Sequence, residues 1–194
     1  MACTNTITLK AITTSCGSNV PSIKKLWVGK FGSATFTPTY VTGETDDDGK
    51  QIIENVKIAT LVSGANKWVE FEFKKNTATA DTEMTVNDNG SYYYNNTVTL
   101  VFNKQTNDKR LAVQALASGD CSVIYLDGNN NYWLMGYDAE VSNTATTATT
   151  GTAATDNNQY TITLGENSGT MPLGMVAGSS TTTVEDDIKS ILMV

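Results

Sequence analysis

Across residues 68–74 apolar and charged side chains alternate, with Val69, Phe71 and Phe73 set against Glu70, Glu72 and Lys74. A period of two predicts a strand with one face buried and the other in water. Residues 92–103 repeat the pattern, with Val98, Leu100 and Phe102 alternating with Thr97, Thr99 and Val101. Less regular runs predict further strands over 23–31 after Pro21, over 35–41, over 50–61 (Ile52, Val56, Ile58) and over 78–87 (Thr79, Met84, Val86). Pro38 cannot donate to a ladder, which argues for an edge position for the second of these. Asn87-Asp88-Asn89-Gly90 is a strong turn, and Asp127-Gly128-Asn129-Asn130-Asn131 joins 121–127 to 132–137 as a hairpin. Tyr160, Ile162 and Leu164 mark the last strand, while Ile7, Leu9 and Ile12 read as a short strand or an ordered N-terminal arm.

One internal helix is predicted, over about 106–117. Thr106 is a good N-cap, Asp108 sits where the helix dipole favours an acid, and Ser118-Gly119 stops the run. Leu111, Ala115 and Leu116 are its expected apolar stripe. A second capped start is Thr183 before Glu185, Asp186 and Asp187, after which Ile188, Ile191 and Leu192 share a helical face. Residues 178–182 have the composition of a flexible tether. The expectation is a C-terminal arm, 178–194, whose Ile188, Ile191, Leu192, Met193 and Val194 clasp a neighbouring subunit; a helix docked on its own domain is the alternative. Residues 142–158 are Thr, Ala, Asn and Gly without apolar periodicity, and read as a flexible loop that orders only on assembly. Together these elements predict one mainly β domain over 1–177, a β-sandwich or barrel with one flanking helix, followed by the arm.

Composition narrows what such a domain does. Of 194 residues 40% are hydrophobic and only 17% charged, and the abundant Thr suits a pleated surface better than a helix. Thirteen basic against 20 acidic residues give a net charge of −7, which leaves no electrostatic footprint for gripping nucleic acid. No apolar run is long enough to cross a bilayer, and the start lacks the pattern of a secretory signal, so the expectation is a protein made and used inside a cell or released by lysis, with no membrane partner. Cys3, Cys16 and Cys121 are odd in number and scattered, which is no disulfide framework.

The chain has no histidine, which removes the usual general base, the Ser-His and Cys-His pairs, and the commonest zinc ligand. Glu44, Asp46, Asp48 and Gly49 approach a calcium loop, but Asn55 falls where the bidentate glutamate belongs; an acidic hairpin loop is the simpler reading. Glu70 and Glu72 read as the solvated face of a strand rather than a catalytic pair. The acceptor patterns at Asn89 and Asn95 read as chance in an Asn/Thr-rich chain. The expectation is a protein that is not an enzyme and needs no metal or cofactor. Trp27, Trp68 and Trp133 with Tyr92, Tyr93 and Tyr94 would suit a sugar-binding face, although aromatics in strands more often serve cores and interfaces.

Four segments carry a family resemblance: 23–28 (Ile-Lys-Lys-Leu-Trp-Val), 96–104 (Asn-Thr-Val-Thr-Leu-Val-Phe-Asn-Lys), 127–136 (Asp-Gly-Asn-Asn-Asn-Tyr-Trp-Leu-Met-Gly) and 156–164 (Asp-Asn-Asn-Gln-Tyr-Thr-Ile-Thr-Leu). In this order, around one capped helix, the chain from about Ile23 to Pro172 resembles the small tail-tube-like virion proteins of tailed bacteriophages, particularly crAss-like and related gut phages. The resemblance implies a structural virion protein, made in the host cytoplasm, that forms a homo-oligomeric ring or tube in the tail or head-to-tail region. Its implied partners are its own copies and other tail, collar or portal proteins, with DNA passing through unbound. A capsid auxiliary or decoration protein, and a carbohydrate-binding or adhesive β-sandwich, are the alternatives. An acidic lumen suits DNA passage, because a basic one would hold phosphates.

Overall fold

A computed structural model describes residues 12, 17–46, 49–65, 67–74, 76–178 and 183–192. Its elements in chain order are β1 (Ile23–Lys30), β2 (Ala34–Thr45), β3 (Gln51–Leu61), β4 (Val69–Phe71), β5 (Thr79–Val86), β6 (Tyr92–Asn103), α1 (Asn107–Ser118), β7 (Cys121–Asp127), β8 (Tyr132–Met135), β9 (Ser142–Thr149), β10 (Gln159–Ser168), β11 (Leu173–Gly174) and α2 (Val184–Ile191). The strands form a five-stranded sheet in the order β11-β8-β7-β1-β4, a four-stranded sheet in the order β5-β6-β10-β9, and the β2-β3 hairpin. Every pairing between these strands is antiparallel. The protein is mainly β, a sandwich flanked by helix, as its sequence pattern predicts.

The five-stranded sheet lies in the middle, buried on both faces. In β7, Val123 and Tyr125 join Leu26, Val98, Leu100, Ile162 and Leu164 in the core between the two sheets. Ile124 and Leu126, pointing the opposite way, join Trp27, Val56, Ile58 and Ile188 in a second core beneath the β2-β3 hairpin and α2. This is why β7 reads as an unbroken apolar run while the outer β6 alternates.

Residues 68–74 form only the three-residue β4, and the expected face assignment holds in part. Phe71 and Phe73 pack against the first core, but Val69 is exposed and Trp68 fully buried. The Trp68 ring lies flat across β1: a Cβ added at Gly29 would sit 2.3 Å from it. With Trp27 also buried and donating its indole N–H to Glu70 at 3.1 Å, two of the three tryptophans cannot face a glycan.

Three further sequence expectations are corrected. The buried residues of α1 are Val113 and Leu116, whereas Leu111 is half exposed; the stripe lies one step round the helix, where i and i+3 share a face. Of 142–158, residues 142–149 are the strand β9, paired along β10. The C-terminal helix does not hang free: Ile188 and Ile191 are 0% and 1% exposed, packed in the second core of their own chain. Ile7 and Leu9 lie outside the described residues.

Candidate assembly surface

The four-stranded sheet ends in two strands that, among the described residues, each pair on one side only. There, β9 pairs with β10 alone and β5 with β6 alone. Soluble proteins usually blunt such edges with lysine, proline, a covering loop or a very short strand. β9 has none of these in its sequence: it runs eight residues, Ser-Asn-Thr-Ala-Thr-Thr-Ala-Thr, with neither charge nor proline, and nearly all of it is exposed. β5, also of eight residues, bears Asp81 and Glu83 on its outward face.

Beside β5 the apolar stripe of the core overruns the sandwich. Cross-strand partners share a face, and Met84 pairs with Tyr94, Val86 with Tyr92 and Ala80 with the buried Val98. The pairing of β10 with β6 ends at Tyr94, so beyond that point β5 and β6 continue as a two-stranded ribbon. The ribbon leaves Met84, Val86 and Tyr92 at 54%, 58% and 50% exposure. Tyr92 meets Tyr94 edge-on, ring centroids 5.9 Å apart. Met171 is exposed in the same cleft, an open space of about 560 Å³ between this ribbon and the tip of the β2-β3 hairpin, reached also by Lys50, Ile53 and Trp133. Apolar side chains grouped in this way mark interaction sites.

The acidic stretch forms that hairpin tip. Asp46 N–H donates to Lys50 O, Lys50 N–H donates to the Asp46 side chain at 2.7 Å, and Gly49 supplies the positive φ, +77°, that the turn requires. Asp48 lies outside the described residues. Among the described residues, no three His, Cys, Asp or Glu side chains converge as a metal ion would require.

Behind the surface the two sheets are tied by one buried carboxylate. Glu166, 7% exposed, accepts from the Gly136 N–H at 2.7 Å and from Asn96 Nδ2 at 3.0 Å. Asn96 in turn donates to Thr170 O and accepts from the Thr82 hydroxyl, which links β5, β6, β10 and the end of β8. Burial pushes the Glu166 carboxyl up; the hydrogen bonds from Asn96 and Gly136 oppose this, the Asp138 charge adds to it, and the balance leaves it above its ordinary value. The β7-β8 turn is held differently. Burial would raise Asp127, but donors from Trp133, Asn131 and Asn129 outweigh it and hold its carboxyl below the usual range. Burial pushes the Cys121 thiol up to about 12, which makes it a poor nucleophile.

The structure separates the proposed arm residues from this surface. Ile188 and Ile191 are core, Leu192 packs against the same cluster, and Met193 and Val194 lie outside the described residues. Thr183 caps α2 as expected, its hydroxyl accepting from Asp186 N–H at 3.2 Å. Lys25 Nζ meets Glu185 at 2.9 Å, a hydrogen bond that raises the lysine and lowers the acid; both are well exposed, so the pair adds little stability. Gly178 N–H donates to the buried Asp187 at 2.7 Å. The ribbon and β9 were missed as a surface because their signal is topological. Thr-rich strands give no hydrophobic period, and which strands form an edge depends on sheet order.

Comparison with protein-family models, curated proteins and solved structures finds no match.

Proposed function

We propose that this chain is a structural subunit that assembles with its own copies into a ring or tube, as a virion protein in the tail or head-to-tail region of a tailed bacteriophage. The observation that carries the reading is the pair of open edges, β5 and β9, at opposite sides of one sheet. Joining β9 of one copy to β5 of the next continues the sheet across subunits. Such a head-to-tail contact closes into a ring when its rotation closes, and it removes the aggregation hazard of both edges. The role asks for no catalytic group, metal or cofactor. The net charge of −7 suits a conduit that DNA crosses without being held, and other tail, collar or portal proteins would meet the faces of the ring.

Negative-stain microscopy with sedimentation of the purified protein tests the proposal. Rings or short tubes with a central hole are expected. Monomers at every concentration would contradict it. Retention of such monomers on a glycan column would favour an adhesive sandwich, and binding only to preformed capsids would favour a decoration protein.

A further inference from the structure

We infer that the mouth of the sandwich binds a neutral oligosaccharide, a role beyond assembly that one chain carries by itself. Trp27 and Trp68 are buried, whereas the third tryptophan opens onto the cleft of about 560 Å³ between the β5-β6 ribbon and the β2-β3 hairpin tip. Trp133 projects from β8 of the central sheet, on the side that packs against the first core. Tyr92 and Tyr94 project toward that core from β6 of the four-stranded sheet, in step with the buried Val98. Aromatic rings from both layers therefore border one opening, and its volume lies within the range of small-ligand sites.

The Trp133 ring is set in place before any ligand arrives. Its indole N–H donates to Asp127 at 3.0 Å, and the backbone N–H groups of Asn129 and Asn131 hold Asp127 in turn, each at 2.8 Å. A fixed ring spares the ligand the cost of ordering it. Tyr92, half exposed, adds a flat apolar plate with a polar tip, the kind of surface that covers the C–H face of a sugar ring. The polar groups around the rings are mixed in kind. Gln51, Glu54 and Asp138 are exposed at the rim, and neither their side chains nor the Tyr92 and Tyr94 hydroxyls hydrogen-bond to another group among the described residues. A sugar hydroxyl both donates and accepts, so a carboxamide, carboxylates and phenols suit it together. The rim sets Asp46, Glu54 and Asp138 against Lys50 alone, a balance that repels phosphate, sulfate and sialic acid. Among the described residues no three acids converge, so the rim does not cage a metal ion.

A printed array of neutral, sialylated and sulfated oligosaccharides, probed with the labelled full chain, tests this. Retention on neutral glycans is expected, and rings that present one cleft per copy should be held more tightly than monomers. The best neutral glycan from the array is then titrated against the chain while tryptophan fluorescence is followed, because Trp133 is the tryptophan that a ligand in the cleft touches. Tyr92→Ala changes an exposed side chain, so its thermal melt should match the parent. Its binding is expected to weaken at least about tenfold, the equivalent of about 1.4 kcal/mol, whereas Tyr92→Phe, which keeps the ring, should retain most of it. Three outcomes overturn the inference: no neutral glycan retained, retention of acidic glycans or of an arginine-rich peptide alone, or a Tyr92→Ala chain that binds like the parent. The cleft lies within one chain, so its test is separate from that of assembly. A monomer that binds neutral glycans keeps this inference while the assembly reading fails, and rings that ignore them do the reverse.

Discussion

Removing residues 183–194 is expected to cost the monomer most of its stability. Val184, Ile188 and Ile191 of α2 are all buried, and each large aliphatic side chain withdrawn from water is worth about 1.5–3 kcal/mol. The helix also closes the second core over Trp68, whose backbone N–H donates to Ile191 O at 2.9 Å. The expected loss of roughly 5–8 kcal/mol rivals the whole stability of a typical domain, about 5–15 kcal/mol. Ile188→Ala alone should cost about 2–5 kcal/mol through the cavity it leaves. Urea denaturation of the monomer measures both. A truncated chain that melts like the parent but no longer assembles would mean that the helix belongs to a neighbour.

Glu166→Ala is the second change with a large expected effect, about 2–5 kcal/mol destabilising. It strands the buried Gly136 N–H and one of the two N–H groups of Asn96 Nδ2, whose other bond to Thr170 O remains; each unpaired donor costs about 1–3 kcal/mol, and relief of the carboxylate's own burial offsets part of that. The substitution also alters the response to pH. In the unfolded chain this carboxyl titrates near its ordinary 4.5, and in the folded chain at a higher pH. Between the two, the native state keeps a proton that the unfolded state has released. The contribution of Glu166 is therefore fully present below the ordinary value and is lost as pH rises through the raised one. Denaturation midpoints from acid to neutral pH should show this fall in the parent and not in Glu166→Ala. Parallel profiles would mean that the carboxyl is not raised.

Both residues show how far the sequence speaks and where it stops. The helix at 184–191 was legible as a helix, since Thr183 followed by three acids is a local capping signal. Its destination was not, because a short amphipathic helix on a polar linker reads alike whether it packs in cis or in trans. Glu166 was not legible at all. In the chain it stands among polar neighbours at the end of β10, and it becomes a tie between sheets only through partners 30 and 70 residues away. The long strands were legible because each buries one alternating face. β9 escaped because the residues on its core-side face, Ala148 and Thr146 opposite Tyr160 and Ile162, are exposed and too small or too polar to give a period. The burial of Trp68 in the second core, on the side opposite Phe71 and Phe73, was not legible, since nothing local marks Gly29 as the surface on which its ring lies.

The proposed assembly rests on two strand edges, and amide hydrogen exchange reads them residue by residue. In the monomer, the amides of β5 and β9 that point away from β6 and β10 have no strand partner among the described residues and should exchange far faster than those of β6. In the ring they should gain protection together, alternating along each strand as a new ladder forms. Assembled protein in which Ser142–Thr149 and Thr79–Val86 exchange as fast as in the monomer would contradict the account.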